Sequence, residues 1–246
     1  MIWIGTSGWV YKHWIGCFYP PEMKQRDWLR HYASVFPTVE INRSFYRLPS
    51  RQNFEAWGQQ AGFHWGFQFA VKASRYLTHV KRLKDPDQPI WKLVEAADGL
   101  GYHKGPFLYQ MPPRWNADPG RLRHFISRLP PWHKAAFEFR DYSWYNGEIY
   151  HILGEAGHAL VRAIGGYHTP MEVPDVGPFR YIRVHGGQWG IGLTEGELQY
   201  WADRIANDTR NGVETYIYFN NDPECHALYN AWRLRDMLAY TGALAP

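Results

Sequence analysis

Short β-rich runs alternate along this chain with longer stretches whose apolar residues recur at helical spacing. The β-rich runs fall at Ile2–Gly5, Thr38–Asn42, Gly66–Lys72, Pro106–Met111, Ala135–Arg140, Ala159–Arg162, Phe179–His185 and Val213–Asn220. Between them the spacing predicts helices over Asp27–Val35, Ser50–Gln60, Pro86–Ala97, Asp118–Leu129, Ser143–Gly154, Thr194–Asn207 and Pro223–Leu238. Ser50, Asp118, Ser143 and Thr194 are suited to open four of these helices, because their side-chain oxygens accept from the unpaired N–H groups of a first turn. Thr194 is followed three residues on by Glu197, the spacing of a capping box.

Eight strands alternating with helices imply parallel βα units. The expected fold is α/β, a (β/α)8 TIM barrel forming a single domain over residues 1–246. The length agrees with the ~250 residues usual for such a barrel. One stretch breaks the rhythm. Gly165–Pro178, after the sixth strand, is rich in Gly and Pro and predicts an irregular segment in place of a helix.

Side chains alternate faces along a strand, and in a barrel one face meets the helices while the other fills the interior. The apolar parity (Ile2 and Ile4, Val39 and Ile41, Phe67, Phe69 and Val71, Phe137 and Phe139, Ile182 and Val184, Ile217 and Phe219) is expected to face the helices. The opposite parity reads Trp3, Gly5, Ser7; Glu40, Asn42; Gln68, Lys72; Gln110; Glu138, Arg140; Arg162; Arg183, His185; Tyr218, Asn220. Its polar members cluster toward the C-terminal ends of the strands, where barrel enzymes build their sites. The ionisable set is Lys72, Arg140, Arg162 and Arg183 against Glu40 and Glu138, a surplus of two positive charges. Buried charges are costly unless paired or met by a ligand, and Arg binds oxyanions bidentately. The expectation is an anion-binding mouth. The plainer alternative is a closed lattice of internal salt bridges.

Composition bounds the partners. Hydrophobic residues make up 45% of the chain and charged residues 20%, enough apolar surface for one large core. The net charge of +4 permits a phosphate-bearing ligand without requiring one. The two cysteines, Cys17 and Cys225, form no CxxC, so neither a disulfide framework nor a thiolate metal cage is expected. No run approaches the roughly 18 apolar residues of a membrane span. The chain opens directly on a strand-like segment with no signal-peptide pattern, so a cytoplasmic location is expected. The oligomeric state is left open.

The ordered segments GTSGWVYKHWIGCFYP (Gly5–Pro20), VEINRSFYRLP (Val39–Pro49), FQFAVKASRYLTH (Phe67–His79), GPFLYQMPP (Gly105–Pro113), FEFRDYSWY (Phe137–Tyr145), YIRVHG (Tyr181–Gly186) and YIYFNND (Tyr216–Asp222) resemble the DUF72 family, also called YecE-like proteins. The resemblance spans nearly the whole chain. It implies a TIM barrel, and it brings with it a suggested structural relation to endonuclease-IV-like barrels.

Glu138 and Glu40 are the acid–base candidates: a carboxylate among cations acts as a base, one in an apolar pocket as an acid. Both equally suit the orientation of arginines. Lys72 closes the third strand and is a candidate either for holding phosphate or for forming a Schiff base. His185 and His79 are candidate proton shuttles or anion donors. Arg140, Arg183 and Arg162 are the expected anion binders, with Asn42, Gln110, Asn220 and Ser7 orienting substrate. Tyr46, with Trp115, Trp144, Tyr145 and Trp189, lies next to strand ends and would add an aromatic rim. The first loop, Thr6–Tyr19, interleaves Trp9, Tyr11, Trp14, Phe18 and Tyr19 with Lys12 and His13, which suits base stacking or a packed lid. No cofactor is expected. A divalent metal is disfavoured, since the strand ends carry no HxH or HxxxH pair and the inner cations would repel it.

The leading reading is a metal-independent enzyme, a hydrolase or lyase, acting on an anionic small molecule bearing phosphate. Its rivals are a non-catalytic nucleic-acid-binding module and a metal-dependent, endonuclease-IV-like DNA nuclease.

Overall fold

The computed structural model describes residues 1–62, 66–166, 168–170 and 172–243. Eight parallel strands close into a barrel in chain order: β1 (Ile2–Thr6), β2 (Thr38–Ile41), β3 (Gln68–Lys72), β4 (Lys104–Gln110), β5 (Ala135–Glu138), β6 (Ala159–Ile164), β7 (Phe179–Val184) and β8 (Glu214–Phe219). The ring is completed where β1 pairs with β8, Gly5 standing opposite Tyr218. A side chain at Gly5 has no room: its Cβ would lie 2.0 Å from the Thr38 carbonyl oxygen of β2.

The helices are α1 (Trp28–Val35), α2 (Arg43–Tyr46), α3 (Arg51–Ala61), α4 (Asp87–Ala97), α5 (Pro119–Ser127), α6 (Gly147–Glu155), α7 (Glu195–Arg210) and α8 (His226–Tyr240). Ser50 and Thr194 both form complete capping boxes, with Asn53 and Glu197 as partners, and Asp118 caps α5. Ser143 does not cap α6. It lies in the 3-10 turn Tyr142–Trp144, where Asp141 accepts from its N–H, and Asn146 caps the helix by accepting from Glu148 and Ile149. The short α2 has no counterpart in the hydrophobic pattern, which ran the second strand on to Asn42.

No helix joins β6 to β7 among the described residues. Residues 167 and 171 of the expected irregular segment lie outside them. On this side the outer face of the barrel is covered by charge as well as by apolar side chains. Arg162 donates to the Val173 carbonyl at 2.7 Å and to Asp175 at 3.0 Å, with its guanidinium 5.4 Å from the Trp201 ring centroid. Asp175 also meets Arg204 at 3.1 Å and Arg180 at 3.4 Å.

This placement corrects the inward assignment of Arg162. Ala159 and Val161 fill the interior beside Ala70, Leu108, Ala136, Phe179, Tyr181, Tyr216 and Tyr218, so Arg162 points outward. The run Ala159–Val161 is apolar on both faces, as central parallel strands are. Its pattern therefore fixes no parity, and a one-residue slip reverses every side chain.

Cys17 and Cys225 are joined by a disulfide across 208 residues, against the expectation of no disulfide framework. The bond ties the loop after β1 to the loop after β8. A separation that long leaves no mark in local cysteine spacing. No described helix is long and apolar enough to cross a membrane.

Candidate functional site

Arg183, on β7, stands at the centre of the upper barrel and is 1% exposed. Its parity turns it inward, and two carboxylates from other strands meet it there. Nε and Nη2 donate to the two oxygens of Glu40 at 3.0 and 2.8 Å, a bidentate pair, while Nη1 donates to Glu138 Oε2 at 2.6 Å. The Ser7 hydroxyl donates to Glu40 Oε1, and Tyr181 Oη donates to Glu40 Oε2 at 2.7 Å. Glu138 Oε1 accepts from Arg140 Nε at 2.7 Å, from Arg140 Nη2 at 2.5 Å and from Gln110 Nε2 at 2.9 Å.

Both carboxylates are completely buried. Burial alone would raise their pKa values, but Arg183 and the donated hydrogen bonds outweigh it, leaving Glu40 below and Glu138 well below the ordinary range. Each is a fixed anion with its oxygens already engaged. That favours the arginine-orienting role over acid–base work for both residues.

His185, at the end of β7, has Nε2 3.0 Å from Arg140 Nη2 and Nδ1 3.2 Å from Asn220 Nδ2. Its Nε2 also lies 3.4 Å from Glu138 Oε1, so the ring sits between a cation and a carboxylate. Burial, together with the charges of Arg183 and Arg140, lowers its pKa, although Glu138 opposes them.

Lys72 differs from every other charged residue here. The Ser44 hydroxyl donates to its carbonyl at 2.6 Å and so pins the end of β3 to α2. The ammonium lies 4.2 Å over the Phe45 ring, 6% of the residue is exposed, and no carboxylate of the described residues pairs with it. Glu40 and Glu138 attract it only at longer range. Burial and the repulsion of Arg183 lower its pKa to about 7. His79, beyond β3, packs its ring edge-on to the same Phe45 with centroids 5.0 Å apart. Burial, then the charge on Lys72, lowers its pKa to about 4. With Arg162 outside, the mouth holds Lys72, Arg140 and Arg183 against Glu40 and Glu138. With Lys72 protonated, the surplus is one positive charge instead of two.

The structure thus brings Ser7, Glu40, Lys72, Gln110, Glu138, Arg140, Arg183, His185 and Asn220 to one place, with His79 at its edge. Three other candidates stand elsewhere. Asn42 and Trp9 line a cavity of about 570 Å3 between α1 and α3, walled by Tyr11, Leu29 and Trp57. Tyr46 stands 78% exposed on the rim. Trp9, Trp14, Phe18 and Tyr19 of the first loop are all buried, with Tyr19 stacked on Trp28 at 4.5 Å and Trp14 Nε1 donating to Asp222 at 2.7 Å. The loop is a packed lid. Tyr181 was missed. Tyr181 shares the parity of Arg183 and was within reach of the alternation. Tyr11 of the first loop reaches the site through its hydroxyl, which donates to the Ser7 carbonyl at 2.5 Å. Among the described residues no three His, Cys, Asp or Glu side chains form a group that would hold a metal ion.

Fold and site together define a (β/α)8 barrel with a buried arginine–carboxylate network at its C-terminal mouth and, beside it, a lysine with no carboxylate partner among the described residues. The chain belongs to the family described as "Protein of unknown function DUF72", whose pattern it matches over residues 3–246. It is 28% identical to the UPF0759 protein YunF of Bacillus subtilis strain 168, over 100% of this chain and 98% of that one. The crystal structure of a DUF72 family protein from Thermotoga maritima MSB8 superposes with a TM-score of 0.83 at 27% identity, covering 97% of this chain and 99% of that one. A DUF72 family protein from Enterococcus faecalis V583 shares the fold at 19% identity and a TM-score of 0.78, covering 100% and 97%.

Proposed function

We propose that the barrel mouth binds a small phosphate-bearing anion against Lys72 and Arg140, and that Lys72 is the group that exchanges a proton there without a metal. The observation that carries this reading is the buried Lys72 ammonium, with no paired carboxylate among the described residues. An unpaired buried cation is costly, and an oxyanion beside it removes the cost. Arg140 is partly exposed at 17% and keeps its guanidinium oriented by Glu138. The nucleic-acid reading receives less support, because the rings that would stack bases are already buried in the lid.

Sulfate is the useful probe, since its charge is constant between about pH 6 and about pH 9. In calorimetric titration, Lys72→Met and Arg140→Gln are each expected to weaken sulfate and glycerol 3-phosphate binding by roughly tenfold or more, about 1.4 kcal/mol. Arg162→Met, altering a residue outside the barrel, is expected to leave affinity within about twofold. Unchanged affinity in Lys72→Met removes the reading.

A second result follows from the pKa of about 7 at Lys72. The free protein must take up a proton to bind the anion above that pH. Sulfate affinity is therefore expected to be flat below about pH 7 and to fall by up to about tenfold per unit above it. In the absence of ligand the sign reverses for stability. The lysine binds a proton more tightly unfolded than folded, so the free fold gains stability as pH rises from about 7 toward the ordinary lysine value of 10.5. Lys72→Met, which removes the buried charge, is expected to melt higher than the parent at neutral pH, so lost binding in that variant is not lost folding.

A further inference from the structure

We propose that Lys72 attacks a carbonyl carbon of the bound anion and forms an imine, so that the ligand class is a phosphorylated aldehyde or ketone. This rests on the anion-binding reading above and adds a covalent step to it.

The geometry fits a nucleophilic amine better than a permanent counter-ion. Lys72 ends β3, and its backbone is held on both sides: Ser44 donates to its carbonyl at 2.6 Å, and the N–H of Ala73 donates to the Leu108 carbonyl at 2.8 Å. Its Nζ lies over an aromatic face instead of against a carboxylate. The two nearby carboxylates are occupied by Arg183 and Arg140, so neither claims the amine's proton. The lowered pKa follows from the same arrangement and leaves about half of the amines neutral near pH 7.

Imine formation also needs a group to move protons, and His79 is placed for it. The Thr78 hydroxyl donates to the Ser74 carbonyl at 3.2 Å, so its oxygen accepts from His79 Nδ1–H at 2.9 Å. That fixes the tautomer and leaves Nε2 with a free lone pair. Phe45 touches both Lys72 and His79 and holds them on one side of the mouth.

The step balances without an oxidant. The neutral amine forms the C–N bond while the carbonyl π pair moves to oxygen. The nitrogen loses one proton and the oxygen gains one, giving a carbinolamine, with His79 as carrier. A further proton on that oxygen lets the C–O bond break, water leaves, and the nitrogen lone pair forms C=N. Overall, amine, carbonyl and one proton give a protonated imine and water. Arg140 would hold the phosphate meanwhile.

The test is reductive trapping on the full chain. The protein is incubated with dihydroxyacetone phosphate or glyceraldehyde 3-phosphate, reduced with sodium borohydride, and mapped by peptide mass. The expected result is one adduct per chain on Lys72, at least about tenfold above any other lysine, absent from Lys72→Arg and suppressed by glycerol 3-phosphate. With the phosphate ester held at saturation at each pH, trapping is expected to rise as pH increases through about 7.

Labelling spread over surface lysines, or equal in the parent and Lys72→Arg, overturns the imine. If glycerol 3-phosphate still binds in that case, the anion reading survives alone. If glycerol 3-phosphate does not bind at all, the anion reading fails. Equal trapping of Lys72 by unphosphorylated dihydroxyacetone would keep the imine and reject phosphate as its handle.

Discussion

Arg183→Met is expected to destabilise the protein by about 3–5 kcal/mol, the usual cost of removing one partner from a buried ion pair. At roughly 2–4 °C per kcal/mol for a chain of this size, the melting temperature should fall by about 6–20 °C. The cause is not the lost guanidinium packing, which Met largely restores. It is the two carboxylates left behind. Glu40 loses its bidentate partner and Glu138 loses the donor on Oε2, while both stay completely buried.

The pH dependence gives this prediction a signature that simple packing damage lacks. In the parent, Glu40 and Glu138 are held below their ordinary value of 4.5, so they contribute stability above that pH. That contribution is lost as pH falls below about 4.5. In Arg183→Met burial is no longer opposed by the guanidinium. The carboxylates then titrate high, and stability is lost as pH rises. The variant should therefore melt higher near pH 5 than near pH 8. Lys72, freed from the repulsion of Arg183, will offset part of the loss. Adding Glu40→Gln and Glu138→Gln should recover stability at pH 8. Identical denaturation midpoints for parent and variant, or a variant with no pH reversal, would show that the network is not what holds the mouth together.

Reduction of the Cys17–Cys225 bond is the second large expected effect, about 2–5 kcal/mol. A cross-link spanning 208 residues removes much freedom from the unfolded chain and little from the folded one. Urea unfolding followed with and without dithiothreitol measures it, with Cys225→Ser as the reagent-free control. Coincident curves, or two free thiols titrated in the native oxidised protein, would refute it. Glu224 and Cys225 both sit at positive φ, 56° and 63°, so the backbone there has a cost of its own that the Ser variant retains. The comparison therefore isolates the bond.

The barrel was legible in the sequence because most strands alternate cleanly. Phe137–Glu138–Phe139–Arg140 and Tyr181–Ile182–Arg183–Val184 each place one chemistry on each face, and the structure keeps that division. Where alternation failed, the reading failed with it. Ala159–Val161 carries no polar marker, and Arg162 was turned the wrong way. The members of the site were legible for the same reason, but their states were not. Whether Arg183 claims both glutamates, leaving Lys72 without one, depends on the spatial order of β2, β3, β5 and β7. No local pattern encodes that order. The Cys17–Cys225 bond and the packed first loop are tertiary outcomes of the same kind.

The gap between β6 and β7 has a consequence for how the molecule breathes. Where the cover is wholly apolar, exposing backbone amides means lifting an oily surface into water. Over β6 the cover includes Arg162, Arg180 and Arg204 gathered on Asp175, contacts that water and dissolved ions can replace one at a time. Transient opening is therefore expected first on this flank. It can admit solvent to the outer edge of β6 while the ring of strands and the opposite side of the barrel stay closed.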